Sequence, residues 1–422
     1  MLLLITFVVT LIMGVPILAS IGLATLIPMM VRGDIPLTLI TQTLYTGVDQ
    51  FPLIAVTGFL LAGELMEHSG ITRRIMDIAD KSVGGFTGGL AMVTILACMF
   101  FSALSGSGPA TTAAVGSLAI PSMVRRGYSK PFAGGVVASG GALGILIPPS
   151  NPMIIYAVIA NVSVAKMFIS GVLPGIIVTL ALMLTAYIVS LRKGYVGSGE
   201  KFSFIDLIKS LWHGKWAILA PIIILGGIYG GIFTPTEAAE VAVVYTLVIG
   251  LFVNRTLKWK HIYASLVRAS LISGTIIVIV GIAVAFGRLL ALYQIPQTVA
   301  TLITGVSTNP YVVVLIIVAF LLFIGTWMET LAQIIIFTPI FLPVVIQLGV
   351  DPIAFGIVFI LCCNIGFLTP PLGANLYVVT KLVDVSLEQV SVAVLPFLLA
   401  FLLCVLLVVF VPEIALLLPN MM

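Results

Sequence analysis

Long apolar segments separated by short polar turns run along the whole chain. They are residues 1–31 (divided at 14–16), 51–69, 86–104, 110–124, 131–161, 167–191, 216–233, 236–253, 269–290, 310–325, 331–346, 353–382 and 388–411. A helix needs about 20 apolar residues to cross a bilayer, and several segments reach that length. Of the 422 residues, 61% are hydrophobic and 8% are charged, unlike a soluble domain. The pattern predicts an all-α polytopic membrane protein.

Two of these segments contain a proline-rich break. The first break is residues 144–152 (GILIPPSNP), and the second is residues 366–375 (GFLTPPLGAN), which starts 222 positions later. Proline removes a backbone donor and clashes with the preceding turn, so a helix cannot continue through either segment. Unpaired backbone groups are costly in lipid, so such breaks persist only inside protein or beside a cavity. Two broken helices are therefore predicted.

Two further units consist of paired apolar arms joined by a polar tip. In the first half, residues 105–109 (SGSGP) form the first tip between the arms 86–104 and 110–124. In the second half, residues 325–330 (GTWMET) form the second tip between two similar arms. The arms are short for full spans, which favours re-entrant hairpins that enter the membrane and return.

The two halves match at a constant offset of 222 positions, as shown by Pro148–Pro149 and Pro370–Pro371. The connection at 125–130 carries three basic residues, whereas its counterpart at 347–352 carries none. Short basic loops stay cytoplasmic, so equivalent loops are expected on opposite sides of the membrane. The repeat is therefore predicted to be inverted, with both termini periplasmic. An inverted repeat with two broken helices is typical of secondary transporters.

Polar side chains of the apolar sequence gather at the tips and breaks. They are Ser105, Ser107, Thr111, Thr112, Ser150 and Asn151 in the first half, and Thr326, Glu329, Thr330, Thr369 and Asn375 in the second. Hydroxyl and carbonyl oxygens suit Na⁺, and the N-termini of half-helices favour an anionic group. A membrane-helix hydroxyl can instead bond the preceding turn. The repetition beside both breaks favours an ion and substrate site.

Two charged residues each have two interpretations. Glu329 is the only carboxylate at a tip, which makes it a candidate cation ligand or proton relay, or alternatively the N-cap of the following arm. Arg288 lies near the outer end of its span, where it can meet a substrate carboxylate or extend to the membrane surface.

An enzyme is the alternative from another class. Ser107 or Glu329 would then serve an intramembrane hydrolase or transferase, but no base partner is visible beside either residue. The chain has no GxxxxGK[ST], HExxH or GxSxG motif, and its net charge of +4 is spread thinly. These observations favour a non-enzymatic protein without a nucleic-acid partner.

Four separated motifs resemble those of the large membrane subunit of tripartite ATP-independent periplasmic (TRAP) transporters. They are SGSGPATTAAVG at 105–116, GILIPPS at 144–150, FTPTEAA at 233–239 and FLTPPLG at 367–373. The resemblance implies a bacterial inner-membrane symporter that imports organic acids, such as sialic acid or a C4-dicarboxylate, with a Na⁺ gradient. It also implies a periplasmic substrate-binding protein, a separate small four-helix membrane subunit and an elevator mechanism.

The resemblance also assigns roles along this chain. One Na⁺ site would involve Ser105, Gly106, Ser107, Gly144, Ser150 and Asn151, and a second would involve Gly325, Glu329, Thr330, Thr369, Gly373 and Asn375. Substrate would lie between the sites, near Ser107, Ser150, Asn151 and Asn375, with Arg288 as a further candidate. At least two Na⁺ ions are expected. Many family members carry Asp where this chain has Glu329.

The corresponding division of the chain has six units. They are 1–85 (scaffold and arm of repeat 1), 86–165 (first hairpin and broken helix), 166–215 (span and cytoplasmic linker), 216–309 (scaffold and arm of repeat 2), 310–385 (second hairpin and broken helix) and 386–422 (last span).

Overall fold

The computed structural model describes residues 2–33, 35–83, 87–195 and 203–422. In these ranges the chain is helical and contains no strand, which confirms the all-α prediction. The predicted domain boundary at 85/86 lies outside the described residues, as does the part of the 166–215 unit at 196–202.

The first half contains ten α-helices before the polar linker. They are α1 (Leu2–Ile12), α2 (Ile17–Arg32), α3 (Thr38–Val48), α4 (Pro52–His68), α5 (Ile71–Val83), α6 (Gly89–Ser105), α7 (Gly108–Arg125), α8 (Lys130–Ala142), α9 (Asn151–Ala160) and α10 (Val164–Lys193). A short 3₁₀ turn, Leu143–Ile145, follows α8 at the first break.

The second half repeats this order after α11 (Phe204–His213). Its helices are α12 (Lys215–Tyr229), α13 (Pro235–Val248, extended by a π-helical turn to Val253), α14 (Trp259–Leu292), α15 (Ile295–Thr304), α16 (Pro310–Gly325), α17 (Thr330–Gln347), α18 (Pro352–Gly366), α19 (Ala374–Val383), α20 (Leu387–Phe410) and α21 (Glu413–Leu416). Helices α6–α10 and α16–α20 correspond one to one. The opposite orientation of the two repeats remains a prediction.

Several described helices have the length and apolarity of membrane spans. Five reach at least 18 residues with high hydropathy: α10, α13 with its π-helical extension, α14, α17 and α20. The helices α3 and α4 together also qualify but are bent by 53°, and α11 and α12 are bent by 67°. In the second repeat the single helix α14 covers the positions that α3 and α4 occupy in the first. The two arms of the repeat therefore differ in shape.

Capping residues end or begin the helices on either side of the two tips. Gly106 adopts a positive φ of 59° at the first tip and ends α6 as its C-cap. Ser107 then begins α7, because its hydroxyl accepts the backbone N–H of Ala110. At the equivalent place in the second half, Glu329 caps α17. Each Pro–Pro bond in the breaks is cis.

Helices of the two halves pack against each other across the centre of the fold. Helix α9, which follows the first break, packs against α17 of the second hairpin, and α19, which follows the second break, packs against α7 of the first hairpin. Tyr156 on α9 is fully buried, and its hydroxyl donates a 2.6 Å hydrogen bond to the Pro352 carbonyl at the start of α18. This reciprocal packing brings both tips and both breaks into one core.

Candidate functional site

The first tip and the first break are in direct contact. A Cβ placed on Gly106 would lie 3.0 Å from the carbonyl oxygen of Pro149 and 3.5 Å from the backbone nitrogen of Asn151. A Cβ on Gly144 would lie 2.7 Å from the nitrogen of Gly108. Only glycine permits so close a backbone approach. The two segments that the sequence assigned to one cation site are therefore adjacent.

Hydroxyl groups line this first unit and are buried. Ser105 and Thr111 share a 2.7 Å hydrogen bond between their hydroxyls, across the tip. Ser150 is fully buried, and its hydroxyl donates to the carbonyl of Ile145 at 2.6 Å. A hydroxyl that donates its hydrogen keeps oxygen lone pairs free for a cation. The donor set here is oxygen from hydroxyls and main-chain carbonyls, which fits Na⁺.

The second tip and the second break meet in the same way. A Cβ on Gly366 would lie 2.7 Å from the carbonyl oxygen of Gly325, and the backbone N–H of Leu372 donates a 2.9 Å hydrogen bond to the carbonyl of Thr326. Thr330 is buried beside this contact. Thr369 is half-buried, and its hydroxyl donates to the carbonyl of Ile365 at 2.8 Å, which is the helix back-bond considered from the sequence.

Asn375 connects the second break to the first half of the chain. Its side-chain nitrogen donates a 2.9 Å hydrogen bond to the carbonyl of Ala138 on α8. Its side-chain oxygen is buried without a hydrogen-bond partner, and a Cβ on Gly108 would lie 3.3 Å from that oxygen. The side-chain oxygen of Asn151 is also buried and unpartnered. Buried acceptors without partners are costly, so these two amides have oxygens available to a ligand.

Glu329 is the N-cap of α17. One carboxylate oxygen accepts the backbone N–H of Leu331 at 2.8 Å and that of Ala332 at 3.3 Å. The side chain is exposed in the isolated chain. The capping interpretation of the sequence is confirmed, and a carboxylate with one engaged oxygen can still bind a cation with the other.

Arg288 lies apart from the tips and breaks. It lines a cavity of about 690 Å³ between α3, α9, α14 and α17, with Gln42, Thr46 and Gln50 among the polar lining residues. Asn161, which ends α9 with a positive φ, lines the same cavity. None of the other predicted site residues lines it. The structure therefore places Arg288 in an open cavity, apart from the buried tips and breaks.

Sequence reasoning missed two buried polar residues near the second break. Gln333 donates from its side-chain nitrogen to the carbonyl of Leu321 at 2.6 Å and accepts from the Cys363 thiol at 3.1 Å. Asn364 is fully buried, and neither end of its amide has a hydrogen-bond partner. The signal for Gln333 was present, because it matches Thr111 at the repeat offset of 222. Asn364 had no such counterpart, since Ala142 occupies its position in the first half.

No group of three or more His, Cys, Asp or Glu side chains that could hold a metal ion occurs in the described part of the chain.

Comparison with known proteins decides the family. A family model described as "Tripartite ATP-independent periplasmic transporter, DctM component" matches residues 4–414. The chain belongs to this family. A TRAP large permease component is a transporter permease and not an enzyme, so the hydrolase alternative is not retained.

Curated relatives of this DctM-family chain come from several bacteria. The isethionate TRAP transporter permease protein DctMQ of Oleidesulfovibrio alaskensis is 43% identical over 97% of this chain, which spans only 64% of that relative's length. The C4-dicarboxylate large permease protein DctM of Pseudomonas aeruginosa is 41% identical over 89% of this chain and 88% of its own length. The sialic acid large permease protein SiaM of Vibrio cholerae is 37% identical over 97% of this chain and 95% of its own length.

A solved structure shares the fold of this DctM-family chain. The YdaH transporter of Alcanivorax borkumensis aligns with a TM-score of 0.64 at 16% sequence identity, over 89% of this chain and 87% of its own. Together with the apolar helices, family membership makes this chain a multi-pass protein of the bacterial inner membrane.

Proposed function

We propose that this protein is the membrane-spanning permease of a Na⁺-coupled importer of organic acids. A periplasmic substrate-binding protein delivers the solute, and a small four-helix membrane subunit completes the permease. The curated relatives support import of a small acid, because their names include C4-dicarboxylate, sialic acid and isethionate transporters. Sialic acid and C4-dicarboxylates are the leading substrates, and isethionate adds a sulfonate to the same anionic class.

The observation that carries the proposal is the pair of tip–break contacts. Each contact is so close that glycine is required, at Gly144 in the first half and at Gly366 in the second. Main-chain carbonyls and buried hydroxyls of each pair lie together, and such oxygens replace the hydration shell of Na⁺. Two equivalent units account for at least two coupling ions.

The substrate would use the polar groups between these units and the cavity beside them. The side-chain oxygens of Asn151 in the first half and Asn375 in the second are buried without a hydrogen-bond partner. Arg288 in the neighbouring cavity would attract the carboxylate of an incoming acid, since a guanidinium forms two parallel hydrogen bonds with a carboxylate. An elevator movement of both tip–break units against the remaining helices would carry ions and substrate across the membrane.

Uptake of radiolabelled acids into proteoliposomes that contain this chain and its two partners tests the function. We expect accumulation with an inward Na⁺ gradient and none when the gradient is collapsed. Asn151→Ala should weaken the dependence on Na⁺. Thr185→Ala is the matched control, since this hydroxyl only donates to the carbonyl of Ala181 on α10. Accumulation that persists without a Na⁺ gradient would contradict the coupling.

A separate measurement tests the inverted repeat. A cysteine introduced at Gly349 lies in the non-basic connection between α17 and α18, whereas one at Gly127 lies in the basic connection between α7 and α8. We expect an impermeant thiol reagent added outside spheroplasts to label the first and not the second. Labelling of both from the same side would show that the halves are not inverted.

A further inference from the structure

A second cavity lies where the amphipathic helix α5 meets the first hairpin. It has a volume of about 400 Å³ and is open to the surface. Helix α5 forms one wall, and α6 with the C-terminal half of α7 forms the other. None of the candidate ion or substrate residues lines this cavity. It is therefore a separate place in the fold.

Three arginines line the cavity. Arg73 comes from α5, and Arg125 and Arg126 come from the end of α7. All three are exposed, and among the described residues no carboxylate lies within 4.0 Å of their nitrogens. Within the described part of the chain, the Arg125 guanidinium donates one side-chain hydrogen bond, to the Ser122 hydroxyl at 3.2 Å. A guanidinium group can bind two oxygens of one phosphate through two parallel hydrogen bonds.

Two carboxylates face the same cavity and leave it a net charge of +1. Asp77 is exposed on α5, and Asp80 is half-buried one turn later. One side-chain oxygen of Asp80 is buried without a hydrogen-bond partner. The cavity thus offers guanidinium donors for a phosphate and a free acceptor for a neighbouring hydroxyl.

The cavity also has an apolar lining, beside Ser117 and Ser122. The apolar lining residues are Met76, Leu90, Val93, Leu118 and Pro121. Leu118 and Pro121 remain exposed on the outer side of α7. A ligand that fits must combine an anionic head with a hydrocarbon portion, because a free anion would leave the apolar surface in contact with water.

We propose that this cavity binds one anionic phospholipid of the cytoplasmic leaflet, of the phosphatidylglycerol type. Its phosphodiester pairs with the three guanidinium groups, a glycerol hydroxyl donates to Asp80, and an acyl chain lies along Leu118 and Pro121. Charge supports this occupant, because Arg125 and Arg126 belong to the basic connection at 125–130, which the charge rule places on the cytoplasmic side. Basic pockets between helices on that side bind anionic lipid headgroups.

The position of the lipid has a consequence that rests on the proposed elevator. Helix α5 belongs to the predicted arm of the first repeat, and α7 belongs to the predicted moving hairpin. One lipid that contacts both would hold them together in this conformation. Loss of the lipid would change the transport rate without changing the ion or substrate sites.

Binding can be measured on the purified, delipidated protein by native mass spectrometry. The ligands are short-chain phosphatidylglycerol, phosphatidylcholine with the same acyl chains, and glycerol phosphate. We expect phosphatidylglycerol to bind at least tenfold more tightly than the other two. Equal binding of phosphatidylcholine would overturn the role of the arginines, and equal binding of glycerol phosphate would show a free phosphate site in place of a lipid site.

A matched pair of variants tests the arginines directly. Arg73→Gln/Arg126→Gln removes two cavity charges, whereas Arg74→Gln/Arg192→Gln removes two exposed charges that do not line the cavity. At about fivefold per basic residue, which corresponds to ~1 kcal/mol, the first variant should lose about 25-fold in affinity. The second should stay within about twofold. Equal losses in both would refute the site.

Two further measurements distinguish a loss of lipid binding at this cavity from misfolding and from a loss of transport. Helix content and melting temperature before lipid addition show whether the double variant folds. If the double variant does not fold, the single variant Arg126→Gln should still lose about fivefold in affinity for phosphatidylglycerol. Lipid binding is measured without Na⁺ or substrate, so its outcome does not depend on transport. Lipid binding without any effect on uptake would refute only the consequence for the elevator.

Discussion

Gly144 is where the first break approaches the first tip most closely, and replacing it with alanine tests that contact. An ideal Cβ there would lie 2.7 Å from the backbone nitrogen of Gly108 and closer still to the carbonyl group of Ser107. Real Cβ atoms essentially never come within 3.0 Å of another heavy atom. The contacted atoms are main chain and cannot rotate away, so in Gly144→Ala the break and the start of α7 must separate.

The required movement sets the size of the effect. Restoring ordinary contact requires a shift of several tenths of an ångström, and overpacking of this kind costs about 1–3 kcal/mol. Functional ligands must be held to within about 0.5 Å of their working geometry. We therefore expect the concentration of Na⁺ at half-maximal uptake to rise at least tenfold, which corresponds to ~1.4 kcal/mol of lost binding free energy. Thermal stability in detergent should also fall.

The matched control is Gly274→Ala on α14, where no atom lies within 4 Å of the added Cβ. This change should be neutral or stabilising by up to about 1 kcal/mol, because alanine is the better helix former. Uptake in proteoliposomes over a series of Na⁺ concentrations, with melting temperature in parallel, measures both variants. If Gly144→Ala keeps the stability and Na⁺ dependence of the unmodified protein, the close contact of tip and break is wrong.

Three other substitutions test named hydrogen bonds. Tyr156→Phe removes the hydrogen bond to the half-buried Pro352 carbonyl and should lower the free energy of unfolding by about 0.5–1.5 kcal/mol, measured by denaturant titration. No change would exclude a role of this bond. Asn375→Ala leaves the Ala138 carbonyl without its side-chain donor and should lower both stability and substrate affinity, whereas a loss of stability alone would make Asn375 purely structural. Glu329→Gln keeps an oxygen that can cap α17 and should weaken Na⁺-dependent uptake through its lost charge, and unchanged uptake would leave Glu329 as a cap only.

The helical architecture was predictable because its signals are local. Apolar length identifies spans, and proline and glycine mark the breaks and tips with little ambiguity. The order of helices in the two halves follows the offset that Pro148–Pro149 and Pro370–Pro371 define. The capping role of Glu329 also follows from its position before a helix.

Contacts between distant segments were not predictable from these local signals. The sequence grouped Asn375 with the second tip, whereas the structure also ties it to α8 through Ala138. Arg288 was a substrate candidate together with the residues of the tips and breaks, but it lines a cavity that none of those residues lines. The positions of these residues depend on which helices of the other half α9 and α19 pack against. The hydrophobic periodicity within one helix does not specify its packing partner.

The 53° bend between α3 and α4, set against the single continuous helix α14, means that the two halves are not mechanically equal. The arm of the first half bends at residues 49–51, between α3 and α4. The arm of the second half is the single helix α14, which packs against both α3 and α4. A motion that bends the first arm at residues 49–51 therefore has no equivalent in α14.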